Sequence, residues 1–159
     1  MKINKTLSQE LAQEILPPAN AGEYAGWYRA FSGLSRLPDA CYVEGWMVLQ
    51  DTFTVSEHAW LEVDNEIIDP VHWQDEATYF SGARFNAAQA QAAMAQKGQL
   101  PLTHLLRASR NDTPANSGNP KYWAAWEEAT KFAEAQKRGT LWSNWHRWLE
   151  LIAKRHKDM

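Results

Sequence analysis

The feature that most constrains this fold is a change of period near residue 41. From Cys41 to Gln50, residues of alternating polarity follow a period of two, which is typical of a β-strand. A second strand is predicted over about Thr54 to Val63, and a third over Glu66 to Asp69. Asp64-Asn65 separates these two, and both side chains tolerate positive φ, as a two-residue hairpin turn requires. The pattern therefore predicts an antiparallel sheet of at least three strands.

The residues before the sheet have helical periodicity. We predict a first helix from about Leu7 to Leu16, capped by Thr6 and ended by Pro17-Pro18. A second helix is predicted to begin after Asn20 and to contain Gly26. Glycine inside a helix costs roughly 1 kcal/mol relative to alanine. Gly26 therefore indicates either close packing or a tolerated surface position.

The remainder, residues 71–159, is predicted to form loops and helices. One helix covers Asn86 to Lys97 and ends at Gly98. Residues 120–157 are predicted to form a helical hairpin that turns at Arg138-Gly139-Thr140. Its second helix carries an apolar stripe within an arc of about 120°, made of Leu141, Trp142, Trp145, Trp148, Leu149 and Ile152. We interpret this stripe as core, and a docking surface for a partner is the alternative.

Together these elements predict a single α+β domain over residues 1–159. A small antiparallel sheet packs against an N-terminal helix, and the C-terminal half is helical and rich in tryptophan. The length fits one domain. Nine tryptophans, each able to bury about 150–250 Å², can build a substantial core in a chain of 159 residues.

Composition excludes several classes of function. The chain has 16 Lys and Arg against 19 Asp and Glu, so broad affinity for nucleic acid is not expected. No apolar run reaches the ~18–20 residues that span a bilayer, and no signal peptide is recognised. Cys41 is the single cysteine, which fits a reducing compartment. We expect a cytoplasmic protein without a cofactor, since no glycine-rich phosphate loop is present.

Cys41, His58 and Asp69 form the candidate catalytic set. A thiol nucleophile needs a base, and the base needs an acceptor that orients its other nitrogen. With Asp64-Asn65 as the turn, Asp69 lies opposite Trp60, two residues from His58 on the same face of the sheet. Such diagonal neighbours are about 7–8 Å apart at the backbone. We therefore predict a hydrogen bond between His58 and Asp69, whereas Cys41 is interpreted as a small buried hydrophobe.

A metal site is a weaker hypothesis. His58, Asp69 and His72 could supply two imidazoles and one carboxylate. Asp69 and His72 flank Pro70, so their spacing does not define the geometry of such a site. No metal is therefore assigned.

Three segments carry a resemblance to a known family. They are Tyr42-Val43-Glu44-Gly45-Trp46, Glu57-His58-Ala59-Trp60-Leu61-Glu62-Val63 and Ile67-Ile68-Asp69-Pro70. In this order they resemble the "YxEGY", "HAW" and "IDPTW" motifs of small bacterial and phage proteins of the papain-like and transglutaminase-like superfamily. The segment from Tyr79 to Phe85 resembles the "YFGVxF" segment that often follows. The resemblance covers about residues 24–85 and implies a cysteine-peptidase-like fold.

The chain departs from the family pattern at the position of the nucleophile. The family nucleophile is a cysteine at the start of the helix before the first strand, often within "QCYxNA". The matching stretch begins Ala25-Gly26-Trp27-Tyr28, so Trp27 stands at the cysteine and Gly26 at the glutamine. The resemblance thus implies a catalytically degenerate domain that binds a peptide or protein. The alternative is an active thiol hydrolase, amidase or deamidase that uses Cys41, His58 and Asp69.

Overall fold

A computed structural model describes residues 1–103 and 119–155, with the backbone alone for residues 141–155. The helices are α1 (Lys5–Glu14), α2 (Ala25–Gly33), α3 (Ala87–Lys97) and α4 (Pro120–Arg155), and a single 3₁₀ turn over Gly22–Tyr24 precedes α2. The strands are β1 (Lys2–Ile3), β2 (Cys41–Leu49), β3 (Val55–Val63), β4 (Glu66–Ile68) and β5 (Ala77–Phe85).

The five strands form one sheet in the order β1-β4-β3-β2-β5. Three pairs of neighbouring strands are antiparallel: β4 with β3, β3 with β2, and β2 with β5. The remaining pair, β1 with β4, is parallel. The α+β class and the three central strands agree with the sequence prediction. The two outer strands were missed, because β1 has two residues and β5 lies in the part predicted to hold loops and helices.

Both N-terminal helices begin at residues other than those predicted. The side chain of Asn4, not Thr6, caps α1, accepting a hydrogen bond from the Leu7 N–H at 3.0 Å. The Asn4 N–H donates to the carbonyl of Ile67 at 2.8 Å, so pairing with the sheet fixes the cap. Before α2, the 3₁₀ turn over Gly22–Tyr24 occupies the region where the second helix was predicted to begin, so α2 starts only at Ala25. Pairing of β1 with β4 therefore sets the start of α1.

The larger core lies between one face of the sheet and the N-terminal helices. Tyr42, Leu61 and Ile68, neighbours across three strands, are completely buried on this face. They pack with residues of α1, α2 and α3 that include Leu11 and Ala30. Burial of this apolar surface fixes α2 beside β3.

The opposite face of the sheet carries a smaller cluster. Val43, Trp60 and Ile67 are buried there, and Cys41 and Tyr79 pack against them. Gly45 permits this arrangement, because a Cβ at that position would lie 2.9 Å from Trp60 Cη2.

A buried carboxylate attaches a distant segment to the sheet. Glu44 is fully buried and accepts a hydrogen bond from the Tyr42 hydroxyl at 2.8 Å. It also accepts from the Leu102 N–H at 2.6 Å and from the N–H and hydroxyl of Thr103 at 2.7 and 2.6 Å. Every described partner of this carboxylate is neutral, and two of the partner residues lie 58 and 59 positions away in the chain.

The C-terminal helical hairpin is not formed. α4 is one helix of 36 residues that continues through Arg138, Gly139 and Thr140. The roughly 1 kcal/mol cost of one glycine does not end the helix. Its N-terminal part packs on the sheet through Tyr122, Ala125, Ala129 and Ala133. The prediction that Trp145 and its stripe are core concerns side chains outside those that the structure describes.

Candidate functional site

The β3–β4 hairpin joins the predicted histidine and aspartate. Asp64 and Asn65 have φ of 50° and 63°, as a two-residue turn with two positive φ values requires. Val63 pairs with Glu66, and Leu61 pairs with Ile68, which is the predicted register. The distance from His58 Nε2 to Asp69 Oδ2 is 2.8 Å, and both side chains are buried. The predicted hydrogen bond is confirmed.

Asp69 is the centre of a dense hydrogen-bond network. Its Oδ2 also accepts from the Tyr79 hydroxyl at 2.7 Å, and its Oδ1 accepts from the N–H groups of Val71 and His72 at 2.8 and 3.0 Å. Its own N–H donates to Ser8 Oγ at 2.9 Å. Every described polar atom of this side chain is therefore satisfied inside the protein.

The charges of the site follow from these contacts. Burial alone would raise the pKa of Asp69, but the charge of His58 and the hydrogen bonds from its neighbours lower the pKa below its ordinary value. Burial and the adjacent Asp69 charge raise the pKa of Tyr79. Asp69 is therefore an ionised acceptor and Tyr79 a neutral donor. It follows that His58 donates from Nε2, which leaves Nδ1 as the nitrogen available for chemistry.

The free edge of the His58 ring faces the first turn of α2. A Cβ added at Gly26 would lie 3.7 Å from His58 Cε1, 4.0 Å from His58 Nδ1 and 3.3 Å from Val71 Cγ2. Of the two interpretations left open for Gly26, these distances support close packing over a tolerated surface position. Residue 26 is also a position from which a short side chain would reach the imidazole.

Aromatic rings enclose the rest of His58. Its ring stacks on Trp60 with centroids 6.3 Å apart, and Trp27 approaches edge-on at 6.3 Å. The His72 ring lies edge-on at 5.0 Å. Only 4% of His58 is exposed. The Trp27 indole contacts the imidazole beside Gly26, so the two residues that the resemblance singled out both lie at the site.

Cys41 lies elsewhere on the same sheet. It pairs with Glu62, whereas His58 pairs with Gly45. Four residues of β-strand, at about 3.3 Å each, separate the two positions by roughly 13 Å at the backbone. Cys41 is half-buried in the Val43–Trp60–Ile67 cluster. The structure does not bring this thiol to the His58–Asp69 pair.

Sequence reasoning missed two residues of the site and gave a third, His72, a different role. Tyr79 belongs to β5, where the β-favouring residues Thr78, Tyr79 and Phe80 were a usable signal for a strand. Ser8 reaches Asp69 from α1, and no local pattern predicts this contact. His72 was considered only as a metal ligand. Its Nδ1 lies 2.7 Å from Asp75 Oδ2 at the surface.

The metal hypothesis finds no geometric support. Among the side chains that the structure describes, no group of three or more His, Cys, Asp or Glu residues could hold a metal ion. The carboxylate of Asp69 is already engaged by four donors. The set of His58, Asp69 and His72 is therefore set aside as a metal site.

Comparisons of the chain with protein-family models, curated proteins and solved structures found no match. Within the described residues, no helix combines the length and apolar character needed to cross a membrane. The geometry around His58 is therefore the basis for assigning a function.

Proposed function

We propose that this chain is a catalytically degenerate papain-like or transglutaminase-like domain that acts by binding a peptide or protein. One observation carries the proposal. The His58–Asp69 pair expected of a thiol enzyme is present, but the residues at the start of α2 that face the imidazole are Gly26 and Trp27, and the indole of Trp27 is not a nucleophile. A glycine has no nucleophile. Motifs in the order of that superfamily support the family assignment, and a single cysteine fits the cytoplasmic location that belongs to this proposal.

The alternative, a thiol hydrolase that uses Cys41, requires contact between Cys41 and His58. General-base catalysis needs heavy atoms within about 2.6–3.2 Å, or one bridging water. The register of β2 on β3 separates the two backbones by roughly 13 Å. This distance favours the degenerate domain over the enzyme.

The surroundings of His58 support recognition of an extended peptide. Val71 is 37% exposed and presents a methyl group beside Gly26. The half-buried His72 adds a ring that can donate or accept a hydrogen bond. Trp27 Nε1 is buried and has no partner among the described atoms. Leaving such a donor unpaired costs about 1–3 kcal/mol, and a peptide carbonyl would satisfy it after a small opening of the site.

The degenerate character is tested by placing a thiol at residue 26. In a Cys41→Ser background, Gly26→Cys should react with iodoacetamide at pH 6 about tenfold or more faster than a free thiol, because His58 stabilises the thiolate. Adding His58→Ala should abolish the gain. Ala25→Cys, one position earlier on the same helix, is the matched control and should react slowly.

The alkylation rate of native Cys41 tests the alternative, a thiol enzyme. It should react at pH 6 no faster than N-acetylcysteine, with or without His58. Rapid alkylation of native Cys41 that His58→Ala abolishes would overturn the degenerate assignment and favour the thiol enzyme.

Binding is tested by NMR with an equimolar mixture of blocked hexapeptides. Backbone amides of residues 26–29 and 70–72 should shift, and Val71→Asp should weaken the effect. Glu10→Ala, a change at an exposed position of α1, is the control and should leave the shifts unchanged. Shifts confined to other regions, or no shifts at millimolar peptide, would contradict binding at this site.

A further inference from the structure

Arg29, in α2, differs from the other arginine side chains that the structure describes. Each of the others forms an ion pair with a glutamate, at N–O distances of 2.6–3.4 Å; they are Arg36, Arg84 and Arg138. Within the described part of the chain, Arg29 has no carboxylate partner. Its guanidinium carries a permanent positive charge and five N–H donors. A half-buried cation without a described counter-ion therefore lies on α2.

The hydrogen-bond donors of Arg29 are largely unused. Its Nε is buried and has no hydrogen-bond partner among the described atoms. Its Nη1 lies 3.5 Å from the carbonyl oxygen of Pro70, which is longer than the usual N–O distance of about 2.7–3.2 Å. The N–H of Nε and one N–H of Nη2 point in the same direction, with Nη1 on the other side of the group. This unused edge has the spacing that binds both oxygens of one carboxylate.

The position of Arg29 connects it to the His58 site. Pro70, whose carbonyl it contacts, directly precedes Val71. A Cβ at Gly26 would lie 3.3 Å from Val71 Cγ2 and 3.7 Å from His58 Cε1. Gly26 and Arg29 are three residues apart in α2, so they lie on the same face of the helix. The unpaired charge is therefore beside the surface at which we propose that a peptide binds.

Asp69 does not serve as the missing counter-ion. Its two carboxylate oxygens already accept hydrogen bonds from four described donors, one of which is His58. Although Asp69 directly precedes Pro70, its carboxylate is committed to the imidazole and to the turn that follows. A carboxylate for Arg29 must therefore come from outside the described side chains.

We propose that the peptide bound at the His58 site presents a carboxylate to Arg29, an inference that rests on the proposed function. Trp27 Nε1, the other buried donor of α2 without a described partner, is neutral and suits a peptide carbonyl. Arg29 supplies the charged fork for the anion. A phosphate group, with about 1.5–2 negative charges at pH 7, would exceed the single charge of Arg29. The carboxylate is that of a peptide C-terminus or of an acidic side chain, since both present the same planar pair of oxygens.

Three hexapeptides of alanine and serine distinguish the two sources of the carboxylate. The first is blocked at both ends, the second has a free C-terminal carboxylate, and the third is blocked but carries one internal aspartate. NMR titration of the full chain measures their dissociation constants from the amides of residues 26–29 and 70–72. One charged peptide should bind about tenfold or more tightly than the blocked one, as expected for hydrogen bonds to a charged group. The peptide that gains identifies the source.

Substitutions at Arg29 test which residue provides the gain. Arg29→Gln should abolish it, and Arg29→Lys, which keeps the charge but not the planar fork, should lose most of it. Arg36→Gln is the matched control, at the exposed pair with Glu14, and should keep the full gain. The blocked peptide should bind all variants equally, which checks that the site remains folded. In the unaltered chain, the Nε–H signal of Arg29 should shift only with the charged peptide that gains affinity.

The outcomes separate this inference from the proposed function. Equal affinity for all three peptides, with shifts at residues 26–29, would overturn the carboxylate contact and leave peptide binding in place. A gain that Arg29→Gln leaves unchanged, or an Nε–H signal that does not move, would overturn it as well. The absence of shifts with all three peptides at millimolar concentration would contradict both the contact and the proposed function.

Discussion

Two fully buried carboxylates, Glu44 in β2 and Asp69 directly after β4, have different roles. Each accepts four hydrogen bonds from described donors. One donor to Asp69 is an imidazole that can carry a charge, whereas every described donor to Glu44 is neutral. Glu44 therefore holds a distant segment in place, and Asp69 orients a titratable ring. Burial alone does not mark a functional carboxylate; the chemistry of its partners does.

Glu44 should dominate the stability of the fold. Glu44→Ala leaves the N–H groups of Leu102 and Thr103 and the Tyr42 hydroxyl without their acceptor. Unsatisfied buried donors cost about 1–3 kcal/mol each, and partial relaxation brings the expected loss to about 4 kcal/mol. Urea denaturation measures it. Glu10→Ala, at an exposed position, should change stability by less than about 0.5 kcal/mol. A loss at Glu44 near the control value would contradict its role in holding residues 102–103.

Asp69→Asn should cost less, about 2–3 kcal/mol at pH 7, because the amide oxygen can still accept from the N–H groups of Val71 and His72. The loss should depend on pH. The folded-state pKa of Asp69 is lowered, so its stabilising contribution is present above the ordinary carboxyl pKa of about 3.9 and is lost as pH falls further. The difference between wild type and variant should shrink below about pH 4 in denaturation experiments. A difference that grows in acid would contradict the ionised assignment.

Tyr79→Phe should cost about 1.5–2 kcal/mol, the value of one hydrogen bond to a charged acceptor. A double-mutant cycle with Asp69→Asn isolates this contact. The two changes should be non-additive by about 1 kcal/mol, since the residues share one bond. The same cycle between Tyr79→Phe and Glu44→Ala is the control and should be additive. Additive effects in the first cycle would contradict a stabilising hydrogen bond between Tyr79 and Asp69.

The sequence could predict the contact between His58 and Asp69, but not the contacts of Glu44. His58 and Asp69 are 11 residues apart and are related by one hairpin, so turn chemistry and a period of two suffice to bring them together. The donors to Glu44 from Leu102 and Thr103 are far away in the chain, and no local pattern indicates them. The same limit applies to Ser8, which reaches Asp69 across the fold.

Local sequence patterns also gave wrong predictions at the cap of α1 and at Gly139. The α1 cap is Asn4 because β1 pairs with β4, a contact between distant segments. The break predicted at Gly139 rested on propensity, and α4 is helical on both sides of it. The stripe that follows was recognised, but what it faces depends on whether the chain turns at that glycine.

The smallest expected effect tests the local origin of the His58–Asp69 pair. Asn65 has a φ of 63°, and glycine is favoured at this position of the turn. Asn65→Gly should therefore stabilise the protein by about 0.5 kcal/mol, whereas Asn65→Ala should destabilise it by roughly 1 kcal/mol, the cost of left-handed backbone for a residue with a Cβ. Chemical denaturation measures both changes. Each should add to Glu44→Ala, because the turn and the Glu44 cluster share no described partner. If Asn65→Gly destabilises the protein, the turn does not by itself set the register that joins His58 to Asp69, and contacts such as that from Ser8 must hold Asp69 in place.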